Sequence, residues 1–88
     1  MFRLWGKCIR NNHPVRDIVV CDGDYSKSRT RMVLDGLTGI CRAFDLAEPI
    51  WLESNIEEFR RLSRTRFHQD SFIETLDFDY LEIRVIEE

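Results

Sequence analysis

Phe2, Leu4, Gly6 and Cys8 alternate with Arg3, Trp5, Lys7 and Ile9, a period of two that predicts a strand with one apolar and one mixed face. Val15 to Cys21 is rich in β-branched residues and predicts a second strand, antiparallel to the first. With Asn11-Asn12-His13-Pro14 as the loop between them, Arg10 faces Val15, Cys8 faces Asp17 and Leu4 faces Cys21. Asp22-Gly23-Asp24 ends the hairpin. From Ser28 to Asp45 the apolar residues Val33, Leu37, Ile40, Cys41 and Phe44 recur at helical spacing, which predicts an amphipathic helix lying on the sheet.

Pro49 stops that pattern, because proline lacks a backbone N–H and biases its predecessor towards extended structure. Ile50-Trp51-Leu52 then predicts a short strand. Ser54 followed by Glu57 has capping-box spacing, with Ile56, Phe59 and Leu62 as the buried side of a second helix. Arg60, Arg61 and Arg64 fall near its C-terminus, where cations suit the helix dipole. Thr65 to Gln69 predicts a strand, Asp70 to Asp77 fits neither helix nor strand, and the alternation returns from Phe78 or Asp79 to Glu87. There Leu81, Ile83 and Val85 share one face, and Tyr80, Glu82, Arg84 and Ile86 the other. With no repeat or linker, residues 1–88 read as one α+β domain of order β-β-α-β-α-β-β. Its sheet is mostly antiparallel, with two helices on one face.

Composition supports an ordered chain: 43% of residues are hydrophobic and the net charge is only −3, far from the balance of disordered sequences. No apolar run approaches the roughly 18 residues that cross a bilayer. Met1 to Trp5 already alternates like a strand instead of a leader, so the expectation is a cytoplasmic protein used without processing. Cys8, Cys21 and Cys41 are odd in number and widely spaced, which predicts reduced, buried thiols in place of a disulfide framework or zinc site. In the register above, Cys8 and Cys21 lie about 13 Å apart along the sheet, beyond bridging distance.

Charge divides the chain unevenly. Asp70 to Glu88 carries seven acids and one base, whereas the preceding residues carry twelve bases and nine acids. This predicts an acidic last strand that neutralises a basic body as a member of the sheet.

Motif tests for chemistry fail. Asp22, Asp24 and Ser26 imitate the start of a calcium loop, but Lys27 stands at the glycine position and Val33 at that of the bidentate carboxylate. Gly23 before Lys27-Ser28 lacks the second glycine of a phosphate-binding loop, and no serine sits in a glycine elbow. Asp70, two residues after His68, is the nearest thing to a catalytic or metal pair. No catalytic, metal-binding or cofactor-binding residue is assigned, and no cofactor is expected.

Some residues instead break local rules. Lys27, Arg29 and Arg31 crowd the start of the main helix, where acids are favoured, and Ser26, Ser28 and Thr30 lie among them as candidate anion ligands. Arg60, Arg64, Arg66 and His68 around Phe67 form a second anion-binding candidate, with an aromatic for base stacking. Gly36, Gly39 and Ala43 make a small-residue stripe suited to close packing by the sheet, the second helix or a partner. Trp5 and Ile9 on the first strand, and Tyr80, Arg84 and Ile86 on the last, form one candidate interface if those strands are neighbours.

The chain resembles short uncharacterised bacterial proteins that carry Trp-Gly-Lys, Ile-Trp-Leu, Asn-Ile, Thr-Arg-Phe and a terminal alternating strand. Here these are Trp5-Gly6-Lys7, Ile50-Trp51-Leu52, Asn55-Ile56, Thr65-Arg66-Phe67 and Asp79 to Ile86. The resemblance implies no activity. The functional expectation is therefore a non-enzymatic module that binds a protein partner or itself through the face carrying Trp5 and Tyr80. A nucleic-acid or phosphate-ligand binder is the alternative, and a small enzyme using His68 and Asp70 a more distant one.

Overall fold

Asn11 and Asn12 both hold positive φ, 53° and 65°, which closes a two-residue turn of the kind that matches strand twist. It joins β1 (Phe2–Arg10) to β2 (His13–Asp22), with Arg10 opposite His13. The expected four-residue loop is therefore replaced by a tighter one. The pairing also shifts between Cys8 and Ile9, where Ile9 faces Pro14 and Cys8 faces Arg16. Asparagine tolerates the left-handed region, so the turn needs no help from His13 or Pro14, and both enter the strand.

α1 (Arg29–Ala43) begins at Ser28, whose hydroxyl accepts the Arg31 N–H at 3.1 Å. It ends where Asp45, at φ 55°, turns the chain and Leu46 N–H reaches Cys41 O at 2.8 Å. The segment Ile50–Leu52 forms no strand. Its Ile50 N–H donates to Ser71 O at 2.7 Å, Trp51 packs edge-on against Phe59 and Phe67, and Leu52 starts the next helix.

α2 (Glu53–Leu62) is capped differently from the expected Ser54–Glu57 box. Asn55 Oδ1 accepts the Leu52 N–H at 3.1 Å. Its buried residues are Asn55 and Phe59, while Ile56 and Leu62 are exposed. Asn55 turns inward because its amide is satisfied: Nδ2 donates to Thr65 Oγ1 and to Arg66 O, both at 2.9 Å, and Thr65 in turn donates to Glu58. Ser63, left-handed at φ 56°, then sends the chain into β3 (Arg64–Phe67). A single turn at Gln69–Ser71 and an irregular stretch lead to β4 (Tyr80–Glu87).

The computed structural model describes all 88 residues, and its class is the expected α+β. Four strands form one antiparallel sheet in the order β2-β1-β4-β3. The acidic terminal strand is thus an inner strand, and β2 and β3 are the edges. Register places Leu4, Gly6 and Cys8 beside Val85, Ile83 and Leu81, with Thr65 and Phe67 beyond them. This face meets Val33, Leu37, Ile40 and Cys41 of α1 and Phe59 of α2 in one core cluster. No helix is long and apolar enough to cross a membrane.

Close layer packing depends on Gly6. A Cβ there would stand 2.6 Å from Ile40 Cγ2 and 2.8 Å from its Cδ1, and Ile40 is fully buried. A Cβ on Gly36 would meet Leu4 Cδ2 at 2.9 Å, so the small-residue stripe of α1 serves the sheet. We expect Gly6→Ala to cost about 1–3 kcal/mol by overpacking. Combined with Ile40→Ala, it should cost less than the sum of the two single changes by about 1 kcal/mol or more. Urea denaturation of the four proteins checks this.

Candidate functional site

Alternation puts Arg3, Trp5, Lys7 and Ile9 of β1 on the face opposite the helices, together with Asp17, Val19 and Cys21 of β2, Tyr80, Glu82 and Arg84 of β4, and Arg64 and Arg66 of β3. Two rows cross all four strands on this open face. One is Asp17, Lys7, Glu82, Arg66, a line of alternating charge. The other is Val19, Trp5, Arg84, Arg64.

The first row is internally satisfied. Lys7 Nζ lies 3.4 Å from Glu82 Oε2, and Arg66 Nε donates to Glu82 Oε1 at 2.9 Å. Glu82 is only 7% exposed although it lies on the open face, because these two long side chains cover it. The Glu82 hydrogen bond raises the Arg66 pKa further above its ordinary value. Trp5 Nε1 donates to Asp17 Oδ2 at 3.0 Å, and Lys7 Nζ stands 4.1 Å from the Trp5 ring centre. Arg66 lies 4.8 Å over the Tyr80 ring, whose centre is 5.2 Å from that of His68.

The second row is not satisfied. Arg64 and Arg84 are direct cross-strand partners, and neither makes an ion pair or side-chain hydrogen bond. Like charges directly opposite each other destabilise a sheet, so this arrangement works against the fold.

The other candidates divide between two further places. At the start of α1, Ser28 is the cap, and Ser26 bonds Asp24 through both its hydroxyl and its N–H. Lys27 Nζ lies 2.9 Å from Asp22 and 3.0 Å from Asp35, and Arg31 is 3.6 Å from Asp35. The bases expected to receive an anion here already face carboxylates. Arg29 and Arg60, predicted in separate clusters, meet at a groove of about 370 Å³ between α1 and α2. Arg29 Nε contacts Glu88 at 2.7 Å and Nη2 donates to Ser63 Oγ at 3.0 Å, whereas Arg60 has only a 3.8 Å contact to Glu57.

Of the expected interface residues, Trp5, Tyr80 and Arg84 share the open face. Ile86 is exposed beside the register shift opposite Arg3 and Leu4, and Ile9 is only 7% exposed and serves packing. The acidic strand neutralises Arg66, Lys7, Arg3 and Arg29, but opposite Arg64 it places a base. Neutralisation of the whole basic segment, as expected, is thus corrected to neutralisation of one of its members. Asp17, Lys7 and Glu82 were not singled out by sequence, since only strand order puts them in one row. No three His, Cys, Asp or Glu side chains converge on a point where they hold a metal ion.

Scanned against protein-family models, curated proteins and solved structures, the chain matches none of them. The functional reading rests on the geometry.

Two chemical outcomes follow. Cys8 and Cys41 are buried, and desolvation raises both thiol pKa values, that of Cys41 to about 12, while Cys21 is exposed, contrary to the expectation that all three are buried. Titration with a disulfide reagent at neutral pH should consume one thiol rapidly in the native protein and three after denaturation. The Asp22 carboxyl is held below its ordinary value first by the Lys27 hydrogen bond, and Asp24 first by the Ser26 hydroxyl. A depressed folded pKa contributes stability above the unfolded carboxylate value near pH 4, about 3.9, which is lost as pH falls through the folded pKa. Lys27→Met should therefore raise the Asp22 pKa towards that of a free aspartate and shrink the acid-side loss attributable to it, measured by carboxyl NMR titration.

Proposed function

We propose that the protein is a non-catalytic interaction module whose open sheet face binds an acidic surface on a protein partner. The observation that carries this reading is the unpaired Arg64–Arg84 couple beside Trp5, on the face that no helix covers. Two arginines directly opposite each other on paired strands can each take a carboxylate in bidentate geometry, and arginine next to tryptophan is the composition favoured in interface centres. The satisfied row of Asp17, Lys7, Glu82 and Arg66 beside them fixes side chains in advance, which lowers the ordering cost of binding. Three unpaired cysteines support a reducing compartment, and so the cytoplasm, as the place of action.

A single-stranded nucleic acid is the second reading, favoured by Trp5, Tyr80 and His68 on one cationic sheet face. Lys7 and Arg66 already lie over the faces of the Trp5 and Tyr80 rings on which bases would stack, and this favours the acidic protein.

Arg84→Glu separates function from stability. A carboxylate opposite Arg64 should raise the melting temperature by about 1–6 °C, from the worth of one cross-strand charge pair. The same change should weaken binding of a glutamate-rich peptide with one central tyrosine by about tenfold or more, read by fluorescence anisotropy. Equal wild-type affinity for the glutamine-substituted peptide overturns the proposal, as does undiminished binding by the variant. Salt-sensitive binding of oligothymidylate without peptide binding replaces it with the nucleic-acid reading.

A further inference from the structure

The most exposed large apolar side chain of the protein is Ile73, at 94%, in the irregular stretch between the single turn at Gln69–Ser71 and β4. That stretch is firmly held. Phe72 and Phe78 anchor its ends in the core, Gln69 Nε2 donates to Glu74 O at 2.7 Å, and Leu76 N–H donates to Gln69 Oε1 at 2.8 Å. Glu74 Oε1 accepts the Ala47 N–H at 3.0 Å and ties the stretch to the far end of α1. Ile73 is thus displayed in a fixed position, and it stands among Asp70, Glu74, Asp77 and Asp79, with no base between Gln69 and Ile83.

The groove between α1 and α2 has the opposite character. Val33, Trp51, Ile56 and Phe59 form an apolar floor, and Arg60 stands at its rim with only a 3.8 Å contact to Glu57, beside an Arg29 already held by Glu88. At about 370 Å³ it holds an isoleucine side chain with room to spare. The apolar floor suits the knob and Arg60 offers a cation to its carboxylates, yet the knob is in solvent and not in the groove of its own chain.

We infer that the groove receives Ile73 and its acidic surroundings from a second copy of this chain, joining copies head to tail. The contact is heterologous, so each copy keeps one free knob and one free groove, and association continues into rings or open chains. The surface is small, below that of stable dimers, and the affinity is weak, in the micromolar range or above. Charge on both sides makes it weaken with salt. This contact lies on the helix side and is independent of binding at the open sheet face.

Sedimentation velocity from about 10 µM to about 1 mM, spanning that affinity range, should show a weight-average size that rises with concentration and falls with added salt. Ile73→Ser lacks the knob and Ile56→Glu spoils the groove; both positions are exposed, so both variants fold, and each alone should remain monomeric. Their equimolar mixture should form a dimer and nothing larger, because one intact knob meets one intact groove. Arg84→Glu should associate like the wild type. A monomeric wild type at the highest concentration overturns the inference, as does continued association of Ile73→Ser, failure of the mixture to dimerise, or loss of association in Arg84→Glu. None of these results depends on whether the acidic peptide binds the sheet.

Discussion

The fold depends on β4 being an inner strand of the sheet, paired with β1 on one side and β3 on the other. Until it is in place, β1 and β2 are an isolated hairpin, β3 is four unpaired residues, and neither helix has a complete apolar surface to cover. Two-stranded hairpins are marginal in water, so β4 converts fragments into a domain. The pairing of the first and last segments is also as non-local as a chain of this length permits, which favours slow, cooperative folding.

Once β4 is seated, the two sheet faces obey different physics. On the helix side, tolerance is set by contact distance, and Gly6 against Ile40 is the tightest point. On the open side it is set by charge arithmetic across strands. Glu82 serves two cations from neighbouring strands, whereas Arg84, two residues along the same strand, meets another arginine. Successive positions on one face of a single strand thus carry opposite outcomes, one favouring the fold and one opposing it. Residues that oppose their fold are where binding function is to be sought.

Much of this was legible in the chain. The alternation of Phe2 to Ile9 and of Tyr80 to Ile86, and the helical spacing from Val33 to Phe44, are local periodicities, and they gave the α+β class with an antiparallel sheet. What was illegible depended on partners distant in sequence. Ile50 to Leu52 looks like a strand because it is short and apolar, but its Trp51 is spent on Phe59 and Phe67. Asn55 looks like an exposed helix polar residue until Thr65 and the Arg66 carbonyl are brought to it. The hairpin register was missed because two consecutive asparagines accept left-handed backbone, a preference that admits the shorter turn. In the same way, Arg64 and Arg84 belong to one cluster only when β3 is known to lie beside β4.

Arg16 on the edge strand β2 shows how an unfinished sheet border can be kept from growing. It faces the helix layer opposite Cys8, donates to Phe44 O at 3.0 Å at the end of α1 and lies 5.1 Å over the Phe44 ring. A charge held at a border makes the addition of a foreign strand unfavourable, because that strand would desolvate the guanidinium without supplying a counter-charge. Ile18, Val19 and Val20 follow after Asp17, and such a β-branched run invites fibrous stacking wherever its border is unguarded. Arg16 therefore guards this border as well as capping the helix, alongside Pro14 on the same strand and the register shift between Cys8 and Ile9.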